Sequence, residues 1–355
     1  MRNALMKAAR CSLLVLLCCA GVGAKPVHHY VYFGQGREKI RQASSFFETE
    51  ALEGAQVTYT WRQLEPEKDR YDFGPVREDL AFLASKGKRL FIQIQDVSFY
   101  ESRINVPRYL LQDPAYNGGA DKHYHVPGDD GSKAVVGGWL ARRWDPAVQG
   151  RLRRLFDALG REFDGRVEGV NLAETAVGFT HDPGRFPKGY SFEAYRDAII
   201  TNMRALRRAF PKSVVIQYAN FMPGEWLPGD DKGYLRAVYQ AAKELKVGVG
   251  GPDLLPHRRG QRNHSYPLIR EASGVVATGI AVQDGNYEEV NRETGKRVTV
   301  PELLDFAAGY LKVDYVFWCT QEPYYSDEVI PFFKRARSEG AHPHAPPSAR
   351  APGAR

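Results

Sequence analysis

In the stretch GVNLAETAVG, residues 169–178, an apolar run ends in a lone carboxylate, Glu174, with an amide, Asn171, three residues before it. Similar runs elsewhere end in chemically related side chains: Trp61 and Arg62, Gln95 and Asp96, Tyr218 and Asn220, Asp253, Gln283 and Asp284, then Trp318, Gln321 and Glu322. Acids and amides hydrogen-bond hydroxyl groups, rings stack on the flat faces of sugars, and two carboxyl groups together can act as acid, base and nucleophile on an acetal. Glu174 is therefore the candidate proton donor. Asp284 is the candidate nucleophile or base, and Glu322, on the adjacent run, is its rival. Trp61, Arg62, Gln95, Asp96, Asn171, Tyr218, Asn220, Asp253, Tyr287 and Trp318 are candidates for substrate contact, with the two Trp and Tyr287 as stacking platforms. Each has a plainer reading: Glu174 as a loop acid or a partner of Arg62, Asp284 as the cap of a turn through Gly285 and Asn286, each ring as core.

Eight runs rich in apolar and β-branched residues would have to hold these groups: 29–35, 55–61, 89–96, 167–174, 213–220, 246–253, 277–284 and 314–321. Between them lie stretches with helical spacing. In 71–88, Val76, Leu80 and Leu83 share a face and Gly87 marks the stop; in 151–163, Leu152, Leu155, Phe156 and Leu159 share another, with Arg residues opposite. Ser191 is placed to cap a helix that ends before Pro211. Strands buried on both faces and alternating with helices make a parallel sheet, and eight such units close into an α/β (β/α)8 TIM barrel, whose reactive groups sit at the carboxyl ends of the strands. The connection from Val97 to Trp144 is far longer than the others and leaves such an end, so it should overhang the site.

The first 24 residues read as an export signal: Arg2, Lys7 and Arg10 precede the apolar run CSLLVLLCCAGVGA, with small residues Val22 and Ala24 placed for cleavage after Ala24. The barrel is then expected over 25–340, as one domain, with a Pro/Ala-rich disordered tail over 341–355. Loss of the signal removes three basic residues and no acid, taking the formal charge from +7 to +4, too mild to argue for nucleic acid. It also removes three of the four cysteines and leaves Cys319 with no intramolecular partner. No later segment is long and apolar enough to span a membrane, so the expected product is a secreted or periplasmic protein; its oligomeric state is left open.

The run TYTWRQLEPEKDRYDFGPVREDLAFLASKGKRLFIQIQ, followed by INVPRYLL and RRWDPAVQGRLRRLFDAL, resembles glycoside hydrolase clan A, in particular its families 5 and 42. The resemblance covers most of the chain in architecture and is locally specific over about residues 55–180. It implies that Glu174 stands where these enzymes hold their acid/base, and that Trp318 matches a Trp common at the eighth strand. Two departures stand out. Clan members usually place Asn directly before the acid/base, whereas Leu172 and Ala173 intervene here; their nucleophile is a Glu ending strand seven, where this chain has Gln283 and Asp284. The expectation is a secreted glycoside hydrolase acting on an oligo- or polysaccharide and needing no cofactor, with a non-catalytic carbohydrate-binding barrel as the alternative. A metal-dependent hydrolase would need His-x-His at the first strand; His123-Tyr124-His125 has that spacing but lies in the long third connection, so no metal is expected.

Overall fold

The computed structural model describes residues 26–125, 135–179 and 186–338; the export signal and the tail read from the sequence lie outside them. Eight parallel strands close into a barrel: β1 (His28–Gly34), β2 (Leu52–Thr60), β3 (Arg89–Gln95), β7 (Gly169–Leu172), β8 (Val214–Tyr218), β9 (Gly248–Gly251), β10 (Thr278–Val282) and β11 (Tyr315–Cys319), with β11 pairing back onto β1. Each overlaps one of the eight predicted runs; β1 and β2 begin before theirs, at His28 and Leu52, and the other six are shorter than predicted. The fold is an α/β (β/α)8 barrel.

Inside the ring, residues two apart along each strand point inward. The lower lumen is aromatic and aliphatic: Tyr30, Phe91, Ile216, Tyr315 and Phe317 pack as a separate cluster, with the Phe91 and Phe317 rings meeting edge to face at 5.1 Å. Such bulk fits because neighbouring positions are bare. A methyl group on Gly54 would lie 2.4 Å from the Tyr30 ring, and one on Gly169 would lie 2.4 Å from Phe91. Above that plug the lumen turns polar. Gln56 donates to Asn171 Oδ1 (2.9 Å) and to the Tyr218 hydroxyl (3.0 Å), and Thr58 donates to Gln93 (2.6 Å). Polarity thus rises toward the carboxyl ends, where the site candidates lie.

Two outer helices depart from their simplest reading. In Gly74–Ser85 the buried face is Val76, Asp79 and Leu83, with Leu80 only half-buried. Asp79 is tolerated inside because Arg37, Arg41 and the Tyr59 hydroxyl all donate to it. In Pro146–Phe163 the apolar stripe is as predicted, but Arg151 is buried beside it rather than solvated, held by the buried carboxylate of Glu65. Ser191 caps Phe192–Ala209 through the Ala194 amide at 3.0 Å.

The described part of the long third connection folds onto itself as an excursion from the barrel. Its strands β4 (Val97–Ser98), β5 (Ala120–His125) and β6 (Val135–Ala141) form an antiparallel sheet in the order β4-β6-β5. Its inner edge is fastened to the barrel mouth: the Tyr124 amide donates to the Gly178 carbonyl at 2.8 Å.

Candidate active site

Glu174 stands two residues beyond β7, on a loop pinned from both sides. Gln217 donates to the Ala173 carbonyl (2.8 Å), and the Thr175 amide donates to the Tyr218 carbonyl (3.1 Å). Its Oε2 accepts a 2.7 Å hydrogen bond from Asn220 Nδ2, and Asn220 Oδ1 in turn accepts from the Ala176 amide at 3.3 Å. Two residues named from the sequence therefore meet directly. The charge environment of Glu174 favours its neutral form. Burial pushes the carboxyl up, Asn220 pulls it part of the way back, the negative charge of Asp253 raises it again and Arg143 lowers it slightly; the result is a pKa pushed up to about 7.

Arg143, which ends the excursion, fixes this loop. It is buried and donates to both oxygens of Asp96 (2.8 and 2.6 Å), to the Tyr195 hydroxyl (2.8 Å) and to the backbone carbonyl of Glu174 (3.1 Å). Asp96 is thus spent in an internal ion pair and is removed from the substrate-contact list. The arginine that meets Glu174 is Arg143; Arg62 instead donates to the Val106 carbonyl at 2.8 Å, and burial lowers its pKa. Behind Asp96 and Arg143 lies an internal space of about 10 Å³, bounded also by Leu172 and Gln217, room for one water at most.

Asp253, after β9, is held by Asn286 Nδ2 (3.1 Å) and has its pKa raised by burial. Asp284, after β10, is exposed and hydrogen-bonds the buried Cys319 thiol. Burial pushes that thiol up to about 12, with Asp284 adding to the effect and the Gln321 backbone opposing it. The turn read at Asp284 is real as well: Gly285 has φ +84° and donates to Gln321 Oε1 at 2.8 Å. Tyr32 is half-buried at the end of β1. Burial raises its hydroxyl pKa most, and the charges of Cys319, Asp284 and Glu174 add to the effect while Thr58 opposes it.

Glu322 leaves the candidate pair. Its oxygens accept from the hydroxyl (2.7 Å) and amide (3.2 Å) of Ser326 in its own exposed turn. The three proposed stacking platforms are core instead. Trp61 is fully buried and donates to Glu65 (2.9 Å); Trp318 is fully buried, donates to His29 (3.3 Å) and meets Phe333 edge to face; Tyr287 is buried and donates to the Cys319 carbonyl (3.1 Å). Asn171 and Tyr218 sit one layer down, in the lumen network around Gln56, while Gln95 is half-buried at the end of β3. His123 Nε2 donates to the Ser98 carbonyl (2.7 Å), and among the described residues no group of three His, Cys, Asp or Glu could hold a metal ion.

Sequence reasoning gave no site role to Tyr32, Arg143, Tyr195 or Asn286. Tyr32 was readable from alternation, two residues after the lumen-facing Tyr30. Arg143 was not, since nothing local in RRWD tells a buried arginine from a solvated one. A concavity of about 450 Å³ among Lys68, Asp69, Tyr116, Arg151 and Arg154 is lined by none of the candidate residues.

No protein-family model matches the chain, and no curated protein does. Solved structures do. The catalytic domain of a β-amylase from Paenibacillus polymyxa superposes with a TM-score of 0.57 at 8% identity, over 91% of this chain and 100% of that one. Xylanase 10B from Thermotoga petrophila, in complex with xylobiose, gives 0.47 at 12% identity over 85% and 86%. The intracellular xylanase TsXylA from Thermoanaerobacterium saccharolyticum, a mutant in complex with xylotriose, gives 0.47 at 14% over 84% and 89%. At 8% identity the likeness to the β-amylase domain is one of fold alone, in keeping with the closed (β/α)8 barrel described above.

Proposed function

We propose that this protein is an exported glycoside hydrolase that cleaves an oligo- or polysaccharide with two carboxyl groups, Glu174 and Asp284. The observation that carries the reading is the placement of two acids at the carboxyl ends of barrel strands: a partly buried one, held by Asn220, just past the fourth barrel strand, and an exposed one just past the seventh. Glu174, protonated up to about neutral pH, gives its proton to the glycosidic oxygen as the bond to the anomeric carbon breaks. Asp284 either attacks that carbon or takes a proton from the attacking water; in both cases water is consumed and two sugar hydroxyls result. Burial, aided by the charge of Asp253, keeps Glu174 in its proton-bearing form, and Asn220 orients it. Residues 1–24 supply export, so protein recovered outside the cytoplasm should begin at Lys25 when its N-terminus is sequenced.

Glu174→Gln tests the reading, because the amide keeps the shape and the bond to Asn220 but has no proton to give. Turnover should fall by about a thousandfold or more with glycan binding kept. If neither form turns over any glycan of a broad panel while both bind, the chain is a carbohydrate-binding barrel and the hydrolase reading is wrong.

A further inference from the structure

Glu174 lies between two arms that carry exposed rings. In the barrel, β7 is flanked by β3 on one side and β8 on the other, each about 4.8 Å away. Just past β3 come Phe99 and Tyr100, 44% and 62% exposed; past β8 comes Trp226, 60% exposed. One exposed ring on its own is ordinary on a protein surface, but these flank the strand that leads to Glu174 on both sides. Nor are they loose. Phe221 stacks on Trp226 at 5.7 Å with 11° between planes, His264 meets it edge-on at 4.6 Å, and its backbone pairs with Asp230 in both directions. The Arg103 guanidinium lies over Tyr100 at 4.9 Å, and Phe99 meets His123 edge to face at 5.3 Å.

Both arms are tied to the loop that bears Glu174. Thr175 donates to the Phe221 carbonyl at 2.6 Å on one side, and the Tyr124 amide donates to Gly178 on the other. The rings are therefore held in fixed relation to the acid, with a backed face and an open remainder. They are separate platforms rather than a continuous apolar patch, and the Trp226 turn runs into Asp230, Asp231 and Lys232, which a protein interface core would exclude. Flat apolar faces set among hydrogen-bonding groups match pyranose rings.

Resting on the hydrolase reading above, we infer that Trp226 on one side and Phe99 with Tyr100 on the other stack against sugars flanking the bond that is cut, so that the site takes an internal stretch of a glycan chain rather than a chain end.

The test compares wild type, Trp226→Ala, Tyr100→Ala and the double variant on soluble xylan, starch, carboxymethyl cellulose and galactomannan, each beside a short 4-nitrophenyl glycoside of the same sugar. The ratio of kcat/KM on the polymer to that on the short glycoside should fall about tenfold for each single variant and further for the double one, and early products of the wild type should be mixed oligosaccharides. In the Glu174→Gln background, Trp226→Ala should weaken retardation of the protein in gels containing the polymer. A wild type that cleaves short glycosides, with variants whose ratio is unchanged or with only terminal sugars released, overturns this inference and leaves the hydrolase reading intact. A wild type that neither cleaves nor binds any of these probes overturns both.

Discussion

One carboxyl group, on Glu174, sets the expected pH behaviour. With a pKa near 7 it carries its proton below neutrality, so kcat/KM should fall on the alkaline side with a midpoint near pH 7. Asp253 contributes to that value through its negative charge, so Asp253→Asn should move the alkaline limb to lower pH without abolishing turnover; an unmoved limb would remove Asp253 from this role. The same shift couples to stability. A carboxyl whose pKa is higher folded than unfolded stabilises the fold fully below the unfolded value near 4.5, and the contribution is lost as pH rises through about 7. Glu174→Gln should therefore raise thermal stability at pH 8 by about 1–3 kcal/mol, after allowance for its partial solvent access, and by nothing measurable at pH 4. Identical melting shifts at both pH values would show that the gain comes from packing.

Among the elements, the excursion between β3 and the Pro146–Phe163 helix fixes the loop that bears Glu174. Through Arg143 it holds Asp96, Tyr195 and the Glu174 backbone at once. Arg143→Ala would leave the buried Asp96 carboxylate unpaired, at a cost of about 3–5 kcal/mol in unfolding experiments, and would lower kcat by freeing the Glu174 loop. Gly138 is where β6 crosses β4: its φ is +155°, and a side chain there would put a carbon 1.9 Å from the Ser98 carbonyl. Gly138→Ala should accordingly open the small sheet, seen as new protease sensitivity over residues 97–141 with the barrel strands still protected in hydrogen exchange. The strands were legible because their apolar runs, punctuated by Gly and polar loops, obey local rules; so were Ser191 as a cap and the stripe at Leu152, Leu155, Phe156 and Leu159. What the sequence hid was long-range. Whether Arg151 is buried depends on Glu65, and whether Asp96 is free depends on Arg143, 47 positions away. The fates of Trp61 and Trp318 show the same limit: a ring beside a strand end can turn outward to a ligand or inward to Glu65 and His29, and only packing decides.

At the scale of the whole molecule, β1 and β11 pair in register from His28 with Tyr315 to Tyr32 with Cys319, and Phe333 of the last helix lies 4.6 Å from the His29 ring. The first and last pieces of the ring are clasped like the ends of a bracelet. A bracelet can be fastened at one place and reopened at another. The exposed turn closed by Asn291 and Lys296, with Gly295 at φ +66°, offers such a place. A chain whose old ends are joined by a short flexible linker and whose new ends lie at that turn should close the same ring and bring Glu174 and Asp284 back to the same mouth.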